Sequence, residues 1–310
     1  MIFVYVLIAL LGLYAVFILG PCIVSVCAIF AGGMRFGSDF DRATAPGAQF
    51  APYAEALRSA RDAMLALPHE NVSITASDGI ALYGTYWDRN ADRTAILVHG
   101  YRSDPWVNFA LQADAFFRHG YNVLIIVQRG NREGAKERTT LGLSESGDVL
   151  LWNRWALEQN GVSKTLLCGV SMGAASIAYA SDRLDPDSTE ALVLDCGFLS
   201  PNEQIRNDSK KRRLPTPLLM PVIALLAKLF YGLSIKKPTT DALRRTQIPC
   251  FFLHGTADET VPFAQGKAAY EACAARKEFF PVEGAGHAEA YLFDPERAEN
   301  ALFKFINDSE

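Results

Sequence analysis

The chain reads KTLLCGVSMGAASIAYAS over residues 164–181, and this stretch is the strongest indication of its fold. Residues 165–168 are an apolar run typical of a buried strand, and residues 174–181 are mostly small residues, typical of a helix packed on a sheet. Between them stands Gly169-Val170-Ser171-Met172-Gly173. Glycines on both sides permit the sharp strand-to-helix turn that presents a serine hydroxyl to a base. Ser171 is therefore a candidate nucleophile.

Two residues further along the chain could complete such a site. Asp258 follows the predicted strand 248–253, and His287 lies in a glycine-rich loop after the predicted strand 278–282. Acyl transfer needs a base that takes the serine proton and an acid that holds the base in place. We expect His287 to be that base and Asp258 to be that acid.

Other roles remain open for each of these residues. A loop histidine such as His287 can simply be solvated, and Asp258 could cap the helix predicted to begin near Pro262. Asp195, at the end of the preceding strand, is a rival for the role of the acid. Glu259 is adjacent to Asp258, but neighbouring side chains diverge, so it should point elsewhere.

Backbone amides are expected to stabilise the oxyanion of such a reaction. Met172 follows the candidate nucleophile at a helix N-terminus, where free N–H groups point outward. The second donor should come from the loop after the strand that ends at Val98, and we choose the N–H of Tyr101. His99, which begins the same loop, is expected to pack or hydrogen-bond within it.

Strand and helix patterns alternate along most of the chain. Ser77-Asp78-Gly79 predicts a hairpin that opens an antiparallel edge. Continuous apolar strands separated by helices indicate a mostly parallel sheet covered on both faces, with functional residues at the carboxyl ends of the strands. The predicted class is α/β, with an eight-stranded sheet. Its strands are predicted at residues 71–75, 80–87, 94–98, 122–127, 164–170, 191–195, 248–253 and 278–282.

Residues 198–247 interrupt this alternation because they are too long for a simple connection. Their centre, residues 214–233, is apolar but contains three prolines and a lysine. We predict a small helical cap over the site, whose inner face would line an acyl pocket, with a second membrane span as the alternative.

The N-terminus is predicted to be a single-pass transmembrane anchor. Residues 2–31 contain no charged side chain, and a helix of about 20 residues crosses the hydrocarbon core. A cleaved signal peptide is the alternative, but its basic start is missing. Gly20-Pro21 should kink or divide the span, and Arg35 and Arg42 after it favour a cytoplasmic catalytic domain. The predicted organisation is an anchor at 1–31, a linker and helix at 32–69, and an α/β domain at 70–310.

Composition argues against a nucleic-acid partner. The net charge is −4 over 310 residues, whereas a phosphate-tracking surface needs clustered Lys and Arg. The one basic cluster, Lys210-Lys211-Arg212-Arg213, is interpreted as a solvated loop or as a contact with anionic lipid headgroups. The six cysteines show no spacing typical of a metal site or a disulfide framework. We expect neither a metal nor a cofactor.

Taken together, these motifs resemble the α/β-hydrolases over about residues 70–308. The resemblance rests on His99-Gly100, the turn at 169–173, Asp258 and His287, in the family's order Ser, Asp, His. More narrowly, residues 171–175 and 195–198 are similar to membrane-tethered hydrolases related to cinnamoyl-type esterases and to the acylaminoacyl-peptidase-like group.

One loop departs from the family's pattern. The chain has Val127-Gln128-Arg129-Gly130-Asn131-Arg132 where relatives often have Asp-x-Arg-Gly-His-Gly. That loop borders the entrance to the site in relatives, so the departure bears on substrate preference more than on the reaction.

The resemblance implies a cofactor-free serine hydrolase that cleaves carboxylic esters, or thioesters, through an acyl-enzyme. The apolar cap and anchor favour an uncharged or lipophilic acyl ester as the small-molecule substrate. A peptidase of the aminoacyl-peptidase type is one alternative, and a non-catalytic, membrane-tethered binding or scaffold protein is another. Halide or epoxide chemistry would need an aspartate in place of Ser171.

Overall fold

A computed structural model of the chain describes residues 1–32, 40–131 and 137–308, so the predictions made for Arg35 and Arg132 lie outside the described residues. The strands are β1 (Glu70–Thr75), β2 (Ala81–Trp87), β3 (Arg93–Val98), β4 (Asn122–Val127), β5 (Lys164–Val170), β6 (Thr189–Asp195), β7 (Cys250–Gly255) and β8 (Lys277–Val282). They form one sheet in the order β1-β2-β4-β3-β5-β6-β7-β8. β2 pairs antiparallel with β1 and β4, and the other pairs are parallel. The predicted eight-stranded, mostly parallel sheet is confirmed.

Helices bury both faces of this sheet. Neighbouring residues of one strand point to opposite faces, so Leu97 joins one buried cluster with Phe116 while Ile96 joins another with Trp152. Burial on both faces explains why the central strands are continuous apolar runs. The helices are α1 (Ile2–Tyr14), α2 (Gly20–Phe30), α3 (Phe40–Ala43), α4 (Ala54–Ala66), α5 (Pro105–Arg118), α6 (Glu145–Leu157), α7 (Met172–Ala180), α8 (Pro201–Lys211), α9 (Thr216–Tyr231), α10 (Thr240–Leu243), α11 (Phe263–Ala272), α12 (Ala290–Phe293) and α13 (Pro295–Asn307).

The N-terminal segment differs from its prediction. α1 has 13 residues, a π-helical turn at Ala15–Leu19 follows, and α2 adds 11 residues from Gly20. Among the described helices, none combines the length and the apolar character needed to cross a bilayer, so the transmembrane anchor predicted for residues 1–31 is wrong. The physical reason is the division of the apolar run, because each α-helical piece is shorter than the roughly 20 residues that a span requires.

Part of this apolar run is instead buried against protein. Cys22, Val26 and Phe30 lie on one face of α2 and are at most 2 % exposed. They share a buried cluster with Ile223 of α9, and the rings of Phe30 and Tyr231 are 5.2 Å apart. The N-terminal helix is therefore packed on the segment between β6 and β7.

That segment, residues 196–249, contains α8, α9 and α10. The hydroxyl of Ser200 caps α8 by accepting a hydrogen bond from the N–H of Glu203, and α9 ends at Gly232 in the left-handed conformation. Ile205 of α8 and Leu219 of α9 join the same buried cluster as Met172. The structure thus places a helical cap beside the residue that follows Ser171.

Candidate active site

Ser171 stands on a strained turn between β5 and α7. Its φ is +55° and its ψ is −112°, a conformation that side chains other than glycine rarely adopt. A Cβ built on Gly173 would lie 1.8 Å from the carbonyl oxygen of Val98, so only glycine lets α7 approach β3 this closely. The N–H of Ser171 donates to the carbonyl of Asp195 at 2.8 Å, which fixes the turn to the end of β6.

Two further residues reach Ser171 from neighbouring strand ends. His287, in the loop after β8, has its Nε2 atom 3.0 Å from the hydroxyl oxygen of Ser171. Its Nδ1 atom lies 2.7 Å from Oδ2 of Asp258, in the loop after β7. A carboxylate only accepts, so Nδ1 carries the proton and Nε2 is left to accept from the serine hydroxyl. The structure brings the three predicted catalytic residues into one hydrogen-bonded line.

Asp258 is held as a charged acceptor. Its Oδ1 atom accepts hydrogen bonds from the N–H groups of Thr260 and Val261, both at 2.8 Å. Burial raises the pKa of the Asp258 carboxyl, but hydrogen bonds from His254 and His287 outweigh it and leave the pKa well below its ordinary value. The carboxylate is therefore ionised at neutral pH and can stabilise an imidazolium at His287.

His254 is a neighbour of Asp258 that the sequence analysis did not select. It lies on β7, is 1 % exposed, and donates from Nε2 to the carbonyl of Val261 at 2.9 Å. The same nitrogen is 3.4 Å from Oδ2 of Asp258. Its position at the end of a strand, four residues before Asp258, was the available signal.

Asp195, the rival acid, lies at the end of β6 and is 1 % exposed. Burial raises its pKa to about 7, although the nearby His254 and His287 oppose this rise. Its Oδ1 atom has no hydrogen-bond partner among the described residues, and Nδ1 of His287 pairs with Asp258 instead. Asp195 is thus a second buried carboxyl group beside the site, outside the hydrogen-bonded line.

We expect the Asp195→Asn variant to lose less stability than the wild type as the pH rises from 5 to 8. An unfolded aspartate has a pKa of about 4, and the folded pKa of Asp195 is about 7. Between these values the folded state binds more protons, so its stability falls with rising pH, by up to about 1.4 kcal/mol per unit. Asparagine cannot ionise and escapes this loss. Urea unfolding at both pH values measures the difference, and parallel curves for the two proteins would refute it.

Both predicted oxyanion donors lie beside the nucleophile. Met172 is the first residue of α7, so its N–H has no acceptor within the helix. A Cβ built on Gly100 would lie 3.5 Å from the Cβ of Ser171, which places the loop of Tyr101 next to the turn. Among the described residues, the N–H of Tyr101 donates to no backbone carbonyl. An oxyanion at Ser171 would therefore find two backbone donors nearby.

Hydrogen bonds of the His99 side chain stabilise the turn that carries Tyr101. This histidine is fully buried, and its Nδ1 donates to the carbonyl of Gly100 at 2.7 Å. Its Nε2 accepts from the N–H of Gln128 at 3.0 Å. The N–H of Gly100 donates to Oδ1 of Asn108 at 3.0 Å. His99 thus joins its own turn to the residue that follows β4.

Arg129, in the loop that departs from the α/β-hydrolase pattern, forms ion pairs with two other parts of the fold. The Arg129 guanidinium donates to both carboxylate oxygens of Asp148 at 2.6 Å and to Asp78 at 2.8 Å. Asp148 belongs to α6 and Asp78 to the hairpin between β1 and β2. A bidentate pair of this kind holds its partners in one geometry. The loop therefore ties the edge hairpin to the body of the fold.

Among the described residues, one cluster has the chemistry of metal ligands. The ligand atoms of Cys196, Asp258 and His287 all lie within 4.8 Å of one another. Two of these groups already pair with each other at 2.7 Å. Their geometry is that of a proton relay, and we assign them no metal.

The strand order, the serine turn after β5 and the acid and histidine loops after β7 and β8 define an α/β-hydrolase fold. No family model matches the chain. α/β-Hydrolase domain-containing protein 17C of Homo sapiens is 39% identical over 56 residues, which span 18% of this chain and 17% of that protein. An uncharacterized membrane protein of Saccharomyces cerevisiae is 24% identical over 234 residues, 74% of this chain and 76% of its own. The match thus spans under a fifth of the length of the domain-containing relatives.

Solved structures give the same fold over most of the chain. An esterase of Pyrococcus furiosus superposes with a TM-score of 0.65 at 22% identity, covering 79% of this chain and 93% of the esterase. Est1E of Butyrivibrio proteoclasticus superposes with a TM-score of 0.57 at 15% identity, covering 76% and 99%. These superpositions show that the chain has the α/β-hydrolase fold.

Proposed function

We propose that this protein is a serine hydrolase that cleaves carboxylic esters through an acyl-enzyme. The observation that carries the proposal is the continuous line from the hydroxyl of Ser171 to Nε2 of His287 at 3.0 Å and from Nδ1 of His287 to Asp258 at 2.7 Å. A serine hydroxyl is a weak nucleophile unless a base accepts its proton, and this geometry supplies that base.

The reaction would proceed in two halves. Oγ of Ser171 attacks the acyl carbonyl while Nε2 of His287 takes the hydroxyl proton, and Asp258 stabilises the imidazolium that forms. The N–H groups of Met172 and Tyr101 would bind the oxyanion. The imidazolium then protonates the leaving alcohol, and a water activated by His287 releases the acid from Ser171.

An uncharged or lipophilic acyl group suits the surroundings of the site. Met172 shares its buried cluster with Phe198, Ile205 and Leu219 of the cap, all of them apolar. A pocket bounded by such side chains gains free energy by burying apolar surface and none by binding a charge. The proposed substrate is therefore an ester, or a thioester, with a hydrophobic acyl chain.

A fluorophosphonate probe tests the proposed mechanism. We expect the wild-type protein to be labelled and the Ser171→Ala variant to be unlabelled, because the probe reacts only with an activated serine. The Ser77→Ala variant is the matched control, since Ser77 is an exposed hairpin residue. We also expect the wild type to hydrolyse p-nitrophenyl esters of short to medium chain length. A protein that neither reacts with the probe nor hydrolyses any ester of the series would be a binding protein on this fold.

A further inference from the structure

The loop that carries the candidate oxyanion donor is bound to the end of α2. The hydroxyl of Tyr101 donates to the carbonyl of Ile29 at 2.7 Å. The guanidinium of Arg102 donates to the carbonyls of Ala28 at 2.6 Å and Ala31 at 2.9 Å. These bonds join residues about seventy positions apart in the chain. The N-terminal helix therefore contacts the active site through two consecutive side chains.

Helix chemistry explains why these groups meet. The last carbonyls of a helix have no N–H partner within it, and they carry the negative end of the helix dipole. Arg102 supplies a positive charge and several donors at that end. Its guanidinium also lies 4.7 Å from the centre of the Tyr101 ring. Burial raises the pKa of Tyr101 to about 12, although Arg102 opposes this, so its hydroxyl remains a donor at neutral pH.

The loop needs support from outside itself. Arg102 has a φ of +51°, in the left-handed region that is unfavourable for a residue with a side chain. Strain of this kind persists only where surrounding contacts hold it. The contacts to Ile29, Ala28 and Ala31 are of that kind, and they act directly next to the N–H of Tyr101.

α2 can serve as a support because it is itself fixed. Val26 and Phe30 are fully buried against the cap, and the thiol of Cys22 contacts the carbonyl of Leu219 at 4.0 Å. The end of α2 therefore has a defined position relative to α9 and, through the shared cluster, relative to Met172. The same buried cluster therefore supports both oxyanion donors, Met172 directly and Tyr101 through α2.

We propose that the side chains of Tyr101 and Arg102 are positioning residues that use the C-terminal end of α2 to hold the second oxyanion donor in place. This inference rests on the proposed function, because it assumes that the N–H of Tyr101 binds an oxyanion. α2 is then part of the catalytic apparatus and not only a covering helix. Misplacing a reacting group by about 1 Å can cost about a hundredfold in rate, so the bonds to α2 should control kcat.

The test compares Tyr101→Phe, Arg102→Ala and Arg102→Lys in the full chain. Tyr101→Phe removes only the hydroxyl and leaves the backbone N–H in place. We expect Arg102→Ala to lower kcat for a p-nitrophenyl ester between about tenfold and a hundredfold, with KM changed less than threefold. Tyr101→Phe should lower kcat by a smaller factor, and Arg102→Lys should recover part of the loss because it keeps a charged donor. Arg154→Ala, an exposed residue of α6, is the control.

A second measurement separates positioning from general destabilisation. An alkyl trifluoromethyl ketone adds to the serine and places an oxyanion where the two N–H groups lie. Its affinity should fall by the same factor as kcat in each variant, while the melting temperature stays close to that of the wild type. The inference is overturned if Tyr101→Phe and Arg102→Ala both leave kcat and ketone affinity within twofold, or if they raise KM alone. An inactive, unlabelled wild type would instead refute the proposed function, and this inference with it.

Discussion

Replacing Asp258 with asparagine is expected to lower kcat for ester hydrolysis by about 10⁴-fold, the size of loss known for such triads. Oδ1 of Asp258 accepts from the N–H groups of Thr260 and Val261, so an asparagine would keep its oxygen there. Its NH₂ group would then face Nδ1 of His287. That nitrogen would have to become the acceptor, and the proton would move to Nε2, where the histidine can no longer take the proton of Ser171.

Steady-state kinetics of Asp258→Asn and of two comparison variants check this prediction. Glu259→Gln changes the exposed neighbour of Asp258 and should leave kcat within about twofold. Asp195→Asn removes the rival buried carboxyl group and should affect kcat far less than Asp258→Asn does. If Asp195→Asn were the damaging change and Asp258→Asn the mild one, the acid would be Asp195 and the mechanism would need to be redrawn.

Replacing Gly173 with alanine is expected to destabilise the folded protein by about 3 kcal/mol or more, at the upper end of the cost of overpacking. The added Cβ would lie 1.8 Å from the oxygen and 2.6 Å from the carbon of the Val98 carbonyl. Both are backbone atoms of β3 and cannot rotate away. α7 must therefore move outward, and the turn that presents Ser171 moves with it, so labelling by a fluorophosphonate should also be lost.

Gly147→Ala is the matched control for this substitution. Gly147 lies within α6, and a Cβ built there meets no atom within 4 Å. Alanine is the better helix former, so this variant should gain about 0.5–1 kcal/mol. The midpoint of urea unfolding measures both changes. A midpoint for Gly173→Ala equal to that of the wild type would show that the sheet and helix can separate at little cost.

The sheet and the grouping of Ser171, Asp258 and His287 could be predicted from the sequence because their signals are local. An apolar run, a glycine pair and a small-residue helix around Ser171 specify a turn whatever the rest of the chain does. Parallel strands then bring their carboxyl ends to one edge, so Asp258 and His287 could be placed near Ser171 without knowledge of any side-chain contact. The strand bounds agree within a few residues for the same reason.

The packing of the N-terminal helix could not be predicted from the sequence, because hydropathy does not say what covers an apolar surface. Apolar side chains such as Val26 and Phe30 suit a lipid environment as well as they suit the contact with α9, which lies more than 180 residues later in the chain. Arg129 is a similar case. Its partners Asp78 and Asp148 stand 51 and 19 residues away, and no local pattern marks either one as an ion-pair partner.

The place of the cap in the topology has a consequence for how this fold can vary. β6 and β7 are hydrogen-bonded neighbours, so the chain leaves the sheet and re-enters it one strand over. The length of the segment between β6 and β7 therefore does not affect the strand order, and insertions in such connections are tolerated. Residues 196–249 can therefore change in sequence and length without disturbing the sheet, provided that the apolar contacts to α2 and Met172 are kept.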